Sequence, residues 1–180
     1  MDDIVHRALA RWPNVPDVYG WLTLDARGHW WIRDARLDHP ATLAFIARNY
    51  QPDAQGAWFF QNGPQRVFAR LGAAPFVARL APVLQTRPDT ALLPHEAWLT
   101  AEGDLFLYAG PGRVALLDGR DLARADFLAA DGHPGDEAML LAGKIDGWHV
   151  RLAGLQLPLH AIDAATVPER GGFVRDPQPD

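Results

Sequence analysis

The spacing of apolar positions along the chain predicts short helices that alternate with β-hairpins. Apolar residues at four-residue intervals predict one helix over 3–12 and a second over 40–50, where a proline suits the first turn. Alternating apolar and polar positions around turn residues predict hairpins over 18–33 and 57–71. The first half of the chain therefore reads as helix, hairpin, helix, hairpin.

A polar stretch bounded by prolines, 86–94, predicts a linker in the middle of the chain. After it, the pattern predicts a hairpin, a strand, a helix and a second hairpin over 98–108, 113–117, 121–130 and 148–162. Trp-Leu-Thr occurs at 21–23 and at 98–100, each time before a turn that contains an acidic residue and a glycine. The fold class is therefore α+β, with antiparallel β-hairpins and packed helices. The repeated tripeptide indicates either a duplicated hairpin–helix–hairpin unit or a coincidence.

The predicted elements divide the chain into an N-terminal half over 1–87, a C-terminal half over 95–166 that resembles it, and an extended tail over 167–180. The length of 180 residues suits one compact domain or two small ones, and both remain open. Hydrophobic residues make up 48% of the chain, with seven Trp and eight Phe. Because disordered chains lack aromatic residues, this composition predicts a packed interior.

Composition excludes several classes of function. The formal net charge of −5 argues against a broad nucleic-acid surface, since such surfaces need excess basic charge. The chain contains no cysteine and no serine, which excludes disulfides, thiolate metal sites and Ser-His-Asp hydrolases. Lys144 is the only lysine and so the only residue for a Schiff base. These absences favour a protein that is not an enzyme.

The N-terminal residues predict a protein without a secretion signal. Two acidic residues precede the first apolar one, and no apolar h-region follows. No apolar run is long enough to span a bilayer. We therefore expect a soluble cytoplasmic protein with no membrane partner.

Two histidines in the last hairpin are the candidate metal ligands. If Trp148, Val150 and Leu152 face the core, strand alternation places His149 and His160 together on the opposite face. A two-residue turn places His149 diagonal to His160, within reach of a common ligand. The alternative is two solvated histidines. No acidic residue on the same hairpin completes a metal site, and Asp136 and Asp146 are the nearby carboxylates in sequence.

The concentration of aromatic residues on predicted strands is the strongest unusual feature. Neighbouring aromatics, such as Trp30 and Trp31, cannot both face the same core. Some rings must therefore lie on the second face of a sheet, covered by another part of the chain, by a partner or by a ligand. The candidate binding residues are Trp21, Trp30, Trp31 and Trp58.

Three longer motifs resemble a known bacterial family. They are Trp-Pro-Asn-Val-Pro-Asp-Val-Tyr-Gly-Trp-Leu at 12–22, Arg-Asn-Tyr-Gln at 48–51, and Trp-Phe-Phe-Gln-Asn-Gly-Pro-Gln-Arg-Val-Phe at 58–68. Together they are similar to the sequence of a proteobacterial domain-of-unknown-function family. The resemblance covers the first half well and the second half loosely. It implies a bacterial source and no activity.

Two hypotheses of function follow. The first is a non-catalytic binding or protein-interaction module that uses an aromatic-rich face or a cleft between the halves. Its partner is a protein or a small ligand, or a second copy in a homo-oligomer, and it needs no cofactor. The second is a small enzyme or a protein that binds a divalent metal through His149 and His160 with nearby carboxylates.

Overall fold

The structure is a computed structural model that describes residues 1–12 and 15–179, without the side chains of Ile4 and Leu141. Two residues of the first family-like motif, Pro13 and Asn14, lie outside the described residues. The described chain forms two sheets and a few short helices, which confirms the predicted α+β fold.

The first sheet has six strands, in the spatial order β3-β2-β1-β6-β5-β4. Its strands are β1 (Val18–Leu24), β2 (Trp30–Ile32), β3 (Ala35–Leu37), β4 (Tyr50–Pro52), β5 (Trp58–Asn62) and β6 (Gln65–Leu71). The hairpins predicted over 18–33 and 57–71 are the pairs β1–β2 and β5–β6. Strands β1 and β6 run parallel at the centre of the sheet.

The second sheet has eight strands, in the order β12-β13-β14-β9-β10-β11-β7-β8. They are β7 (Phe76–Leu80), β8 (Leu84–Arg87), β9 (Glu96–Leu99), β10 (Leu105–Tyr108), β11 (Val114–Leu117), β12 (Asp126–Leu128), β13 (His149–Leu152) and β14 (Leu155–Ala161). The chain passes from the first sheet to the second between β6 and β7. A single hydrophobic core includes residues of both sheets.

The same strand order occurs in both sheets. The order β3-β2-β1-β6-β5-β4 corresponds to β11-β10-β9-β14-β13-β12, with β7 and β8 added beside β11. In each case the two inner strands of the set run parallel, with Leu24 paired to Leu71 and Leu99 paired to Ala161. When Leu24 is aligned with Leu99, the tripeptide at 21–23 lies two positions earlier in its strand than the tripeptide at 98–100. The duplication inferred from those tripeptides stays a prediction.

The helices begin and end near their predicted positions in the first half. Helix α1 spans Asp3–Arg11 and helix α2 spans Pro40–Arg48, with the proline in its first turn. The two helices are joined because the amide of Asp2 donates to the side chain of Asn49 at 2.8 Å. Helix α2 packs its buried Ile46 into the common core. Among the described residues, no helix has the length and hydrophobicity needed to cross a bilayer.

The helix predicted over 121–130 is wrong. The chain forms a 3-10 helix over Gly119–Arg124 and then enters the edge strand β12. The reason is that Asp121 does not cap a helix, because its buried carboxylate accepts hydrogen bonds from the amide of Leu80 and from Arg79 on β7. These bonds hold the segment flat against the sheet. The helix of this half is the short α3, Glu137–Leu141.

The C-terminal residues contact both sheets. Helix α4, Val167–Gly171, lies against the second sheet, where the guanidinium of Arg170 stacks 5.1 Å from the ring of Trp98. The chain then reaches the first sheet, where Val174 forms a parallel bridge with Ala57. The extended tail expected from residue 167 is therefore helical over its first turn, because residues there pack onto a sheet.

Candidate functional site: the outer face of the first sheet

The first sheet has an inner face, which carries Leu22 and Leu24 against the core, and an outer face opposite. Strand register places four outer residues in one row across β3, β2, β1 and β6. They are Arg36, Trp31, Thr23 and Arg70. The two arginines at the ends of this row are exposed, and the two residues between them are partly exposed.

Trp21 lies on the same outer face, one position before the buried Leu22. Its side chain is 50% exposed. The guanidinium of Arg33 lies 4.0 Å from its ring centroid, which is a close cation–π contact. The amide of Arg33 also donates to the carbonyl of Trp21 at 2.8 Å, so the backbone and the side chains are held together. The outer face therefore presents a fixed tryptophan–arginine pair to solvent.

The orientation of Trp31 is fixed by Asp25. The indole Nε1 of Trp31 donates to Asp25 Oδ2 at 3.0 Å, and the amide of His29 donates to Oδ1 at 2.8 Å. Burial acts to raise the pKa of Asp25, but these hydrogen bonds outweigh it and lower the pKa below its ordinary value. Because the carboxylate stays ionised, it remains an acceptor that holds the indole in place.

The second half of the outer face is covered by the chain itself. Phe59 and Phe68 are buried there, and the ring of Tyr19 stacks on Phe68 with centroids 4.6 Å apart. Val174 from the C-terminal residues packs against this cluster. Arg66 lies over both phenylalanine rings. Aromatic rings therefore do lie on the second face of a sheet, as the alternation of neighbouring aromatics predicts.

The other two candidate tryptophans lie between the sheets. Trp30 and Trp58 are buried and surround Tyr50, with ring centroids 5.2 and 4.6 Å from it, and Trp58 also meets Phe76 of the second sheet at 5.0 Å. Aromatic side chains thus pack between the two sheets, in the region where a cleft between the halves was one of the two alternatives. The Tyr50 hydroxyl and the Trp58 Nε1 have no hydrogen-bond partner among the described residues. Burial raises the pKa of Tyr50 well above its ordinary value, so it stays a neutral phenol.

The second sheet contains a row that corresponds to the row on the first sheet. By register it consists of Leu116, Phe106, Trp98 and His160. The first three of these side chains are buried. Arg170 of α4 covers the ring of Trp98, and this helix belongs to the same chain. Three of the four residues in this row are therefore buried in the second sheet, whereas in the first sheet Trp31 is partly exposed and Arg36 and Arg70 are exposed.

The two candidate histidines share a face as predicted. His149 pairs with Pro158, which confirms the register of the hairpin and puts His160 at the diagonal position. Glu96, on the neighbouring strand β9, places Oε2 3.7 Å from His160 Nε2, while its Oε1 accepts a hydrogen bond from Trp98 at 2.8 Å. The sequence analysis did not identify Glu96. Among the described residues, no group of three or more His, Asp or Glu side chains is placed to hold a metal ion.

Asp136 and Asp146 are the two carboxylates that lie near these histidines in the sequence. Asp136 caps α3, where its Oδ1 accepts a hydrogen bond from the amide of Met139 at 3.0 Å. Asp146 is exposed in the loop before β13.

Comparisons with known proteins found one family model and two solved structures that are similar to this chain. A family model named DUF2944 and described as "Protein of unknown function (DUF2946)" matches residues 1–178. No curated protein matches the chain. A DUF1285 family protein from Silicibacter pomeroyi DSS-3 is similar in structure, with a TM-score of 0.53 and 15% identity, over 83% of this chain and 85% of that chain. A DUF1285 family protein from Shewanella baltica OS155 has a TM-score of 0.39 and 17% identity, over 56% of this chain and 86% of that chain.

The Silicibacter structure shows that its fold is shared with this chain. The family match extends over nearly the whole chain and confirms the resemblance to a family of unknown function. This protein therefore belongs to the DUF2944 family.

Proposed function

We propose that this protein is a non-catalytic interaction module that binds an acidic segment of a partner protein on the outer face of its first sheet. The binding residues are Trp21 and Trp31 with Arg33 and Arg36. Tryptophan and arginine are the residues that contribute most often to the energetic centre of protein interfaces.

The observation that supports this function is the difference between two corresponding rows of side chains. On the second sheet, Arg170 of helix α4 lies over the ring of Trp98, and Phe106 and Leu116 of the same row are buried. On the first sheet, Trp31 and Thr23 of the row are partly exposed, and Trp21 beside them is half exposed. Open aromatic surface of this kind marks interaction sites in soluble proteins. A segment of a partner would cover the aromatic rings of the first sheet as Arg170 of α4 covers Trp98.

The charge of the open row determines the chemistry of the partner. Arg70 is paired with Asp176 at 3.1 Å, but among the described residues neither Arg33 nor Arg36 forms an ion pair with an acid. Two unpaired guanidinium groups beside aromatic rings favour carboxylates and aliphatic side chains. The partner segment is therefore acidic, and charge complementarity sets its orientation on the sheet.

The test starts with selection of peptides from a displayed library against the purified protein, followed by measurement of their affinity. We expect the selected peptides to be rich in Asp and Glu. Replacing Trp21 by Ala removes a ring from the centre of the face, which is worth about 2 kcal/mol, or roughly a 30-fold increase in Kd. Trp12→Ala is the matched control. Trp12 is 51% exposed and stacks with Arg11, as Trp21 does with Arg33, but it lies at the end of helix α1 and not on the sheet.

A charge reversal separates the electrostatic contribution. Arg36→Glu should weaken binding of acidic peptides and reduce its dependence on salt, whereas Arg7→Glu on α1 should leave both unchanged. Equal loss in the Trp12 and Trp21 variants would contradict the proposal. So would peptides that bind the Arg36→Glu variant as tightly as the wild type, or a homo-oligomer that buries this face and binds no peptide.

The alternative is a small enzyme or a metal-binding protein, which the contact between His160 and Glu96 favours. Calorimetric titration with Zn²⁺ tests it. If this site binds the metal, His160→Ala and His149→Ala should each reduce affinity at least about tenfold. His133→Ala, at an exposed histidine in a loop, is the matched control.

A further inference from the structure

An open cavity of about 290 Å³ lies at the carboxyl ends of the parallel strands β9 and β14. The loop after α3 forms its third wall. Its lining is mainly apolar and includes two polar side chains. The residues that matter here are Leu99, Leu140, Ile145 and Ile162, with Thr100 and Asp163 as the polar ones. Crevices at the carboxyl ends of parallel strands are frequent ligand sites.

The corresponding position in the first sheet is filled by the chain's own C-terminal residues. The amide of Leu71, at the end of β6, donates to the carbonyl of Arg175 at 2.7 Å. The guanidinium of Arg175 donates to the carbonyl of Gly72 at 2.6 Å. On its other side, the amide of Val174 donates to Gly56 at 3.0 Å. An extended segment is thus added beside the end of β6.

Backbone hydrogen bonds establish that the two positions correspond. Leu71 and Ala161 occupy the same position in the parallel pairs. The next residues, Gly72 and Ile162, each donate their amide to the leucine at the end of the neighbouring parallel strand, at 2.8 and 3.0 Å. Ile162 lines the cavity, and so does Ala161. The cavity therefore lies where the first sheet holds its added segment.

The amide of Ala161 is available for the same bond that Leu71 makes. Alternate amides of a strand point to the same side. The amide of Leu159 donates to Trp148 at 2.9 Å, so the amide of Ala161 points to the β13 side as well. Strand β13 begins at His149, and among the described residues no backbone partner is found for this amide. The cavity thus combines apolar walls with an unpaired donor at a strand end.

The charge at the cavity differs from that in the first sheet. Asp163 follows Ile162, where the first sheet has Ala73 after Gly72. One oxygen of Asp163 accepts a hydrogen bond from the amide of Ala165 at 2.8 Å, and the side chain is exposed at the rim. A carboxylate above apolar walls suits a side chain with an apolar stem and a cationic end.

We propose that this cavity binds an extended segment of a partner protein that carries an arginine or a lysine. The backbone of the segment accepts a hydrogen bond from the amide of Ala161, as Arg175 does from Leu71. The stem of its basic side chain lies against Leu99 and Ile162, and the cationic end meets Asp163. This is addition of a strand at a sheet, in which backbone bonds give affinity and one side-chain pocket gives specificity. The site is separate from the outer face of the first sheet.

The probe is a peptide with the sequence Phe-Val-Arg-Asp-Pro, which the chain itself uses at 173–177, with both ends blocked. Titration of the full-length ¹⁵N-labelled protein is followed by amide shifts and gives the Kd. We expect the shifts to centre on Ala161, Ile162 and the loop after α3. A peptide with Glu in place of Arg should bind at least about tenfold more weakly, because it meets Asp163 with like charge.

Variants of the protein make the result decisive. Asp163→Asn keeps the cap of the following turn but loses the charge, so Kd for the arginine peptide should rise about fivefold. Ala161→Trp fills the cavity and should abolish binding. Ala123→Trp, at another exposed alanine, should bind as the wild type does. The proposal is overturned if millimolar peptide causes no shifts, if the shifts lie outside the cavity, or if both cavity variants bind normally.

Discussion

Replacement of Asp121 by alanine should destabilise the protein by an amount that the contacts of this residue define. The side chain is only 6% exposed. Its Oδ2 accepts hydrogen bonds from the amide of Leu80 at 3.0 Å and from Arg79 Nε at 2.6 Å, and its Oδ1 accepts one from Arg124 at 3.1 Å. Alanine would leave the buried amide of Leu80 and a partly buried guanidinium without an acceptor.

The magnitude follows from these partners. Removing one member of a buried ion pair typically costs about 3–5 kcal/mol. Arg79 is 25% exposed on its side chain and lies 3.6 Å from Asp118, so it can recover part of its interaction. We therefore expect Asp121→Ala to cost about 3 kcal/mol of unfolding free energy, near the lower end of that range. Asp121→Asn keeps an acceptor for the Leu80 amide and should cost less, about 1–2 kcal/mol.

Urea unfolding followed by tryptophan fluorescence and by circular dichroism measures these differences, with the slope m as a test of two-state behaviour. Asp131→Ala is the control, since the contacts of Asp131 with the amide and the ring of His133 are exposed and should contribute little to stability. A loss below about 0.5 kcal/mol in Asp121→Ala would refute the reasoning. An asparagine variant as unstable as the alanine variant would refute the separate contribution assigned to the Leu80 amide.

Three further predictions concern Asp118, Tyr50 and Gly56. A side-chain hydrogen bond from Arg120 lowers the pKa of Asp118 well below its ordinary value. The stability that this shift contributes to the folded protein is present above about pH 4, and it is lost as the pH falls toward the lower pKa of the folded state. Asp118→Asn should therefore flatten the acid side of the curve of stability against pH, measured by urea unfolding from neutral pH downward. Tyr50→Phe removes a buried hydroxyl that has no partner within the described part of the chain, so the urea midpoint should stay equal or rise, by up to about 1 kcal/mol in stability. A marked loss of stability would contradict this. Gly56→Ala should cost about 2 kcal/mol, since Gly56 has φ of +84° and a Cβ there would lie 2.6 Å from the carbonyl oxygen of Gly172; hydrogen exchange should show loosened C-terminal residues, and unchanged exchange would contradict this.

Local features were predictable from the sequence because their contacts are local. The register that sets His149 opposite Pro158 follows from a two-residue turn and from alternation, and the structure confirms it. The position of Glu96 beside His160 depends on the parallel pairing of β9 with β14, which no turn joins. Nothing near either residue in the sequence signals that pairing. The site partner most relevant to His160 was therefore missed.

The predicted helix over 121–130 failed for a related reason. An acidic residue before an apolar stretch is a common helix start, and Asp121 has that appearance in sequence. Its carboxylate instead binds the backbone of β7 far earlier in the chain.

The four candidate tryptophans also differ in exposure through tertiary packing. Alternation shows that Trp30 and Trp31 face opposite ways, but only the packed sheets show which of the two faces is closed.

The path of the C-terminal residues has a consequence for synthesis of the protein. Phe59 and Phe68 pair as soon as β5 and β6 exist, but Val174, which packs against them, is made more than a hundred residues later. During translation this aromatic cluster lacks its contact with Val174 until that residue leaves the ribosome, because contacts of high sequence separation form late. The nascent first sheet is thus a stage exposed to aggregation, and chains truncated before Val174 should need chaperones more than chains that contain it.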